Sequence, residues 1–191
     1  MPQRVVVENV PSTAWRNGGG RTRELLRWPA TDAWSARISL ADIDADGPFS
    51  TFAGVERWFV VVEGAGVALH FADGRREVRP GDAALGFDGG KAPGCTLLDG
   101  PTRDLNLMLR GASGAMSAVA PGVDWTAGFE LRALFTLGAG RWSGDGLTLD
   151  VLAATLLWSA VPPSAGWRFE PAGGSPARAW WIGAGAPTVA R

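Results

Sequence analysis

Glycine and proline interrupt this chain at short intervals. Its 191 residues include 27 glycines and 13 prolines, which fall about every 8 to 15 residues between short apolar runs, a spacing typical of strands joined by turns. No long segment carries an uninterrupted helical pattern of apolar residues with capping residues at its ends. The spacing therefore predicts an all-β protein.

The apolar runs between these turn residues define candidate strands. They are Arg4–Asn9, Trp34–Asp42, Arg57–Glu63, Gly66–Phe71, Ala83–Phe87, Asp104–Arg110, Leu147–Leu157, Trp167–Glu170 and Ala179–Ile182. Because Gly64-Ala65-Gly66 suits a three-residue loop, we predict a hairpin between Arg57–Glu63 and Val67–Phe71. Further turns at Asp73-Gly74 and Pro80-Gly81-Asp82 extend this hairpin into an antiparallel meander.

A segment rich in small residues, Gly111–Asp124, is a candidate connection between two halves of the chain. Strands broken by glycine and proline occur on both sides of it. The layout is compatible with two stacked β-barrels or sandwiches, since barrels and paired sheets leave few unpaired strand edges.

Charge and composition exclude several classes of partner. The chain has 18 basic and 19 acidic residues, and the basic ones are scattered, whereas nucleic acids and membrane surfaces require a concentrated basic patch. Neither a signal-peptide pattern nor a long apolar run is present, so we expect a cytoplasmic protein. Cys95 is the single cysteine and has no partner for an internal disulfide.

Few residues of this chain are suited to metal or acid–base chemistry. It has one histidine, His70, one cysteine and no tyrosine. Zinc and other transition metals need three or four such ligands at defined spacings. We therefore predict no metal and no cofactor, and we interpret His70 as a structural histidine.

Alternation along two strands brings polar side chains onto one face. Arg37 and Ser39 share a face of Trp34–Asp42, and Asn106 lies with Asp104 on one face of Asp104–Arg110. These faces are either the solvent side of a sandwich or the mouth of a barrel, where a few polar groups orient a small ligand. In the second case an arginine would bind a carboxylate through two hydrogen bonds.

Two further places carry candidate polar residues. Glu56 and Arg57 open the predicted hairpin and point to opposite faces, so Arg57 is either a ligand-binding cation or part of a salt bridge at the rim. The stretch Trp15–Glu24 contains three consecutive glycines. We interpret it as a tight turn in which Asn17 and Thr22 bond the backbone, with an anion cradle as the alternative.

Five motifs, in order, resemble the HutD/Ves family. They are WRNGGGRTRE (Trp15–Glu24), ARISLADI (Ala36–Ile43), GPFSTFAGVER (Gly47–Arg57), VVVEGAG (Val60–Gly66) and DLNLMLR (Asp104–Arg110). The resemblance covers about residues 4–115. It departs from the family pattern at Ala36, where tryptophan is common, and at Ala53, where proline is usual.

The resemblance implies a single bicupin unit over residues 1–191. Its two cupin-like barrels, with an RmlC-like jelly roll, would comprise residues 1–115 and 116–191. It also implies a metal-free accessory protein of histidine utilisation that binds a small anion such as urocanate, formylglutamate, formiminoglutamate or formate. The candidate ligand-binding residues are then Arg37, Ser39, Arg57, Asn17 and Asn106, supported by Glu56, Thr22, Glu24 and Asp104.

Two other functions remain open at this stage. A cupin enzyme, an isomerase or hydrolase, would use Glu24, Glu56 or Asp104 as acid or base. An interaction module would use exposed aromatic residues as anchors, and a homodimer is compatible with either hypothesis. Binding is favoured over catalysis because the chain offers no evident pair of nucleophile and base.

Overall fold

The protein consists almost entirely of β-strands. A computed structural model describes residues 1–30, 32–161, 165–174 and 178–187. Within these ranges the only helices are short 3-10 turns at Val7–Asn9, Gly89–Lys91 and Ala172–Gly174. The prediction of an all-β fold is confirmed.

The described strands are numbered β1 to β18 in chain order. They are Gln3–Val6, Thr13–Ala14, Gly20–Trp28, Ala36–Ile43, Gly47–Pro48, Val55–Glu63, Val67–Phe71, Gly74–Val78, Leu85–Asp88, Gly94–Leu97, Thr102–Arg110, Gly114–Ala118, Phe129–Thr136, Gly140–Gly144, Leu147–Val151, Thr155–Ser159, Arg168–Pro171 and Ala179–Pro187.

The chain divides into two compact units. One is Pro11–Gly111, here called the 11–111 unit, and the other combines Met1–Val10 with Ala112–Arg191 and is called the C-terminal unit. Strand β1 pairs antiparallel with β16, with Val5 opposite Leu156. This pairing places the first ten residues in the C-terminal unit, whereas the sequence analysis assigned them to residues 1–115.

Two antiparallel sheets pack face to face in the 11–111 unit. The larger has the strand order β2-β3-β4-β11-β6-β9, and the smaller has the order β5-β10-β7-β8. Both sheets contribute to one apolar cluster. From the larger sheet it takes Ile43, Phe59, Val61 and Phe87, and from the smaller sheet Val67, Leu69, Val78 and Cys95.

The predicted hairpin at Gly64-Ala65-Gly66 is wrong. Strand β6 pairs with β11 and β9, whereas β7 pairs with β10 and β8, so the loop carries the chain from one sheet to the other. Gly64 has φ +94°, and a Cβ there would lie 2.6 Å from the Pro101 carbonyl oxygen. The Asp73-Gly74 turn does join a hairpin, β7–β8, but Pro80-Gly81-Asp82 leads from β8 to β9 in the other sheet, so the meander is also wrong.

The C-terminal unit has the same two-layer construction but an aromatic interior. Its sheets have the orders β1-β16-β13-β18-β12 and β15-β14-β17. Trp142 and Trp167 are fully buried between them, with ring centroids 5.0 Å apart in an edge-to-face arrangement. Trp125 stacks on Trp181 at 5.2 Å. These rings fill the space between the two sheets.

The predicted strand Leu147–Leu157 is in fact two strands. It breaks between Val151 and Thr155, where Ala154 has φ +49°. The predicted pair of closed barrels is not confirmed, because the strands pair as four separate sheets within the described residues.

Two nearby glycines differ sharply in their surroundings and test the packing of the C-terminal unit. A Cβ at Gly140 would lie 2.4 Å from Phe169 Cζ and 2.5 Å from the Glu170 carbonyl oxygen, while a Cβ at Gly138 meets nothing within 4 Å. We expect Gly140→Ala to destabilise the protein by about 1 to 3 kcal/mol through overpacking. The matched variant Gly138→Ala should leave stability unchanged or slightly raised. Urea unfolding measures both, and equal effects would contradict this account of the packing.

Candidate functional site

The inner face of the six-stranded sheet brings most of the predicted site residues together. Because side chains alternate along each strand, the cross-strand register decides which of them are neighbours. On this face the rows are Thr22–Ala41–Asp104, Glu24–Ser39–Asn106 and Arg37–Met108–Arg57. The face also carries Phe59 and Val61 of the apolar cluster between the sheets. The interior location predicted as one of two alternatives is therefore the correct one for Ser39 and Asn106, which are both buried.

Arg57 lies inside an aromatic cage. Its side chain is buried, with only 6% of the residue exposed. The guanidinium carbon lies 5.1 Å from the centroids of the Phe49 and Phe87 rings and 5.8 Å from that of Phe52. Such ring faces attract a cation, but they supply no oxygen acceptor for its N–H groups.

Hydrogen bonds link Arg57 to a buried carboxyl through an amide. Arg57 Nη2 donates to Asn106 Oδ1 at 3.0 Å, and Asn106 Nδ2 donates in turn to Asp104 Oδ2. Within this Arg57–Asn106–Asp104 series, two buried atoms have no hydrogen-bond partner, Arg57 Nε and Asp104 Oδ1. Buried polar atoms are nearly always paired, so each of these two atoms retains an unused capacity for a hydrogen bond.

Burial shifts the pKa values of Arg57 and Asp104, the two ends of this hydrogen-bonded series. Removal from water raises the pKa of Asp104 to about 7, against the opposing effects of the Arg57 charge and the Asn106 hydrogen bond, while Asp42 adds to the rise. Burial also lowers the pKa of Arg57 to about 10, and the negative charge of Asp104 opposes this. Arg57 therefore remains a cation at neutral pH, whereas Asp104 titrates there.

Arg37, the principal predicted anion ligand, already has a carboxylate partner. Its Nη2 lies 2.6 Å from Glu24 Oε2, and Arg27 also donates to both oxygens of Glu24. Burial tends to raise the pKa of Glu24, but the two arginines outweigh it and hold that pKa below its usual value. Arg37 also lies over the Trp34 ring, 5.3 Å from its centroid. Arg37 thus contacts a carboxylate directly, which it shares with Arg27, whereas Arg57 contacts none.

Two predicted residues do not join the inner face. Asn17 accepts a hydrogen bond from the Gly19 backbone N–H at 3.1 Å, which confirms it as a turn residue. Glu56 is exposed on the opposite face of β6 from Arg57, as predicted. The alternative that placed Arg57 in a salt bridge at the rim does not hold, because Arg57 is buried. Thr22 is on the inner face, but its hydroxyl accepts from the Trp15 indole at 2.8 Å and does not bond the backbone as predicted.

A buried arginine in the C-terminal unit provides a contrast to Arg57. Arg132 is 1% exposed, and its Nη2 lies 2.7 Å from Asp145 Oδ2. It also donates to the Ala165 carbonyl oxygen at 3.1 Å and lies over the Trp167 ring. Arg132 Nε, like Arg57 Nε, has no hydrogen-bond partner. The two cations differ in that a carboxylate of the protein contacts Arg132, whereas the hydrogen-bond partner of Arg57 is an amide.

Other reactive side chains lie in structural roles. His70 is exposed, and its Nε2 is 3.0 Å from Thr96 Oγ1. Burial, with the negative charges of Asp104 and Asp46, raises the pKa of Cys95 to about 12, so it remains a thiol at neutral pH. Across the described ranges, no three His, Cys, Asp or Glu side chains are grouped as metal ligands, and no helix there has the length and apolar character to span a bilayer.

Sequence reasoning missed the phenylalanines around Arg57. Phe49 and Phe52 belong to the motif that ends at Arg57, which was the available signal, but their ring contacts depend on a loop between β5 and β6. That loop is held by a hydrogen bond from the Phe52 N–H to the Gly89 carbonyl oxygen at 2.8 Å. A Cβ at Gly89 would lie 2.7 Å from the Val55 carbonyl oxygen and 3.3 Å from Arg57 Cδ, so glycine is required for this approach.

Comparison with solved structures agrees with this fold. A conserved protein of unknown function from Pseudomonas aeruginosa PAO1 is 28% identical, with a TM-score of 0.86 over 97% of this chain and 100% of that one. HutD from Pseudomonas fluorescens SBW25 (formate condition) is 24% identical, with a TM-score of 0.79 over 97% and 98%. An oxalate decarboxylase variant from Bacillus subtilis, at 11% identity and a TM-score of 0.64 over 94% and 76%, shares the fold alone. By its fold, the chain is an all-β, cupin-like protein.

Sequence comparison gives the family. The HutD family model matches residues 7–143, and the chain belongs to this family. An uncharacterized 21.2 kDa protein in the hutC 3′ region of Pseudomonas putida is 40% identical over 110 residues, 56% of this chain and 57% of that protein. Protein Ves of Citrobacter koseri is 36% identical over 106 residues, 54% and 56% of the two chains. The chain thus spans a little over half the length of these relatives.

The raised pKa of Asp104 makes stability depend on pH in a defined direction. Folded protein holds this proton up to about pH 7, whereas the unfolded chain releases it near the ordinary aspartate pKa of 3.8. The contribution of Asp104 to the free energy of unfolding therefore falls as pH rises through this window and is constant above it. Asp104→Asn should abolish that fall, which amounts to at most about 4 kcal/mol.

Urea unfolding at pH 5, 6, 7 and 8 measures this effect. The matched control is Asp73→Asn, since Asp73 is an exposed carboxylate paired with Arg76 in the same unit. Wild type and Asp73→Asn should show the same slope between pH 5 and 7. Parallel profiles for wild type and Asp104→Asn would contradict the assignment of this proton to Asp104.

Proposed function

We propose that this protein binds a small carboxylate metabolite of histidine breakdown on the inner face of the 11–111 unit and thereby modulates histidine utilisation in the cytoplasm. The candidate ligands are urocanate, formylglutamate, formiminoglutamate and formate. Membership of the HutD family and the hutC-region relative of Pseudomonas putida support the pathway. The chemistry of the site supports the anion.

The observation that carries the proposal is the incompletely partnered charge of Arg57. Its Nε has no hydrogen-bond partner, and none of the ion pairs among the described residues includes it. A buried cation without a contacting anion is costly. A ligand carboxylate would provide the charge-assisted hydrogen bonds that Asn106 alone does not.

The other residues of the inner face have subordinate roles in this proposal. Asn106 orients the guanidinium, and Ser39, the neighbour of Asn106 in the register, supplies a neutral hydrogen bond to the ligand. Arg37 and Glu24 form the partly exposed edge of the face, where Arg37 attracts an approaching anion. Arg57 replaces Arg37 as the principal cation, because Arg37 already contacts the Glu24 carboxylate and Arg57 contacts no carboxylate.

The geometry favours binding over the enzyme hypothesis. Among its three candidate acids, Glu24 is held by two arginines and Glu56 is on the other face of β6. Asp104 has a suitable pKa, but its hydrogen-bond partner is Asn106, which is neither nucleophile nor base. We also propose that each unit corresponds to one cupin-like jelly-roll barrel, since each pairs two sheets around its own core. Homodimer formation stays a prediction that size-exclusion chromatography tests directly.

Isothermal titration with the four acids tests the function, and Arg57→Met tests the site. Methionine retains apolar volume while removing the charge, so the fold should persist. Loss of a desolvated charge contact costs about 2 to 5 kcal/mol, so the dissociation constant should rise by roughly 30-fold or more. Arg37→Met should raise it by less than about tenfold.

The matched control is Arg75→Met. Arg75 is half-exposed in the same unit and pairs with Glu77 at 2.7 Å, so its loss should leave affinity unchanged. If none of the four acids binds the wild type, the proposed function is wrong. If an acid binds and Arg57→Met retains full affinity, the function stands and the assignment of Arg57 is wrong.

A further inference from the structure

The two unpartnered atoms of the inner face belong to one hydrogen-bonded chain. Arg57 Nη2 donates to Asn106 Oδ1, and Asn106 Nδ2 donates to Asp104 Oδ2. Arg57 Nε at one end and Asp104 Oδ1 at the other have no partner. A cation and a carboxyl group are therefore joined through a single amide, and all three residues are buried.

Arg57 is the principal positive charge acting on Asp104. From β4, Asp42 adds a negative charge that disfavours ionisation of Asp104. From β10, Cys95 is a neutral thiol. The register neighbours of Asp104 on the inner face are Ala41 of β4 and Val61 of β6, which carry no charge. The ionised form of Asp104 thus depends on Arg57 for stabilisation.

An anion bound at Arg57 changes this balance. Without a ligand, the charges of Arg57 and Asp104 offset each other across Asn106. With a carboxylate on the guanidinium, an ionised Asp104 would leave two negative charges and one positive charge in a buried space, where like charges repel strongly. Protonation of Asp104 restores neutrality.

We propose that anion binding at Arg57 is coupled to protonation of Asp104, so that the 11–111 unit takes up a proton from solvent together with the anion. This coupling rests on the proposed function, because it requires a carboxylate at Arg57. The proton goes to Oδ1, the oxygen without a partner, while Oδ2 keeps its bond from Asn106. Asp104 is in this sense a positioning residue that acts on the ligand through Asn106 and Arg57.

The sign of the pH dependence follows from linkage. The pKa of Asp104 is about 7 in the free protein, and the bound anion raises it further. Below about pH 7 both states hold the proton and affinity is constant. Above it only the bound state does, so affinity should fall by up to about tenfold per pH unit.

Calorimetric titration of the full chain with sodium formate tests the coupling. Formate carries no other titrating group, and formylglutamate replaces it if formate gives no heat. Titrations at pH 6 to 9 measure the dissociation constant. At pH 8, the slope of the observed enthalpy against the ionisation enthalpy of several buffers counts the protons taken up. We expect uptake of roughly 0.5 to 1 proton per anion.

Three variants separate the coupling from structural damage. Asp104→Asn should bind formate with an affinity that does not change between pH 6 and 9 and with no proton uptake. Asp104→Glu retains a carboxyl and should retain the pH dependence, as should the exposed control Asp73→Asn. The buffer series on wild type alone decides the question if the Asp104 variants fail to fold.

The outcomes of the two proposals are distinguishable. Anion binding without proton uptake, or a pH dependence that persists in Asp104→Asn, overturns the coupling and leaves the proposed function intact. Failure of all four acids to bind wild type at any pH from 6 to 9 overturns the proposed function and the coupling with it.

Discussion

The candidate site depends on keeping a guanidinium charged between two apolar sheets. Arg57 achieves this with three phenylalanine rings and a single amide acceptor. The rings exclude water without supplying a negative charge, so the guanidinium retains both its charge and a free N–H. Its surroundings are therefore those of a preorganised receptor, in which most of the desolvation has occurred during folding and does not have to occur on binding.

The two units share one architecture but differ in the side chains that lie between their sheets. Each packs two antiparallel sheets around an apolar core and buries one arginine on the larger sheet. In the C-terminal unit, tryptophans fill the space between the sheets and Asp145 contacts Arg132. In the 11–111 unit, the inner face of the larger sheet carries the Arg57–Asn106–Asp104 series beside the apolar cluster. Arg132 contacts a carboxylate of the protein, whereas Arg57 contacts none. This difference supports a ligand-binding role for the 11–111 unit.

Local pattern predicted the all-β class and the grouping of several polar residues on one face. Alternation along β4 and β11 correctly grouped Arg37 with Ser39 and Asp104 with Asn106, because the side-chain period of a strand is fixed. The local pattern failed where pairing between strands distant in sequence decides which sheet a strand joins. Gly64 and Gly66 predicted a hairpin, yet the strands on either side of them belong to different sheets. Strand β3, Gly20–Trp28, was missed because its many polar side chains conceal the pattern of a half-buried strand.

The roles of the individual residues in the candidate site could be assigned only from the three-dimensional structure. Sequence spacing cannot reveal that Glu24 neutralises Arg37, since the two lie on neighbouring strands whose register includes a bulge between Glu24 and Leu26. Likewise, the phenylalanine cage of Arg57 depends on a loop closed by Gly89. The residue types pointed to an arginine and a carboxylate ligand, but only burial and hydrogen bonding distinguish Arg57 from Arg37.

The pairing of β1 with β16 has a consequence for folding during synthesis. All strands of the 11–111 unit find their partners within that range, so its sheets can complete as soon as it leaves the ribosome. Strand β1 is synthesised before this unit, but its partner β16 is translated about 150 residues later. At ordinary elongation rates this delay is roughly 8 to 30 s. During that interval residues 3–6 have no strand to pair with, so the five-stranded sheet cannot be completed.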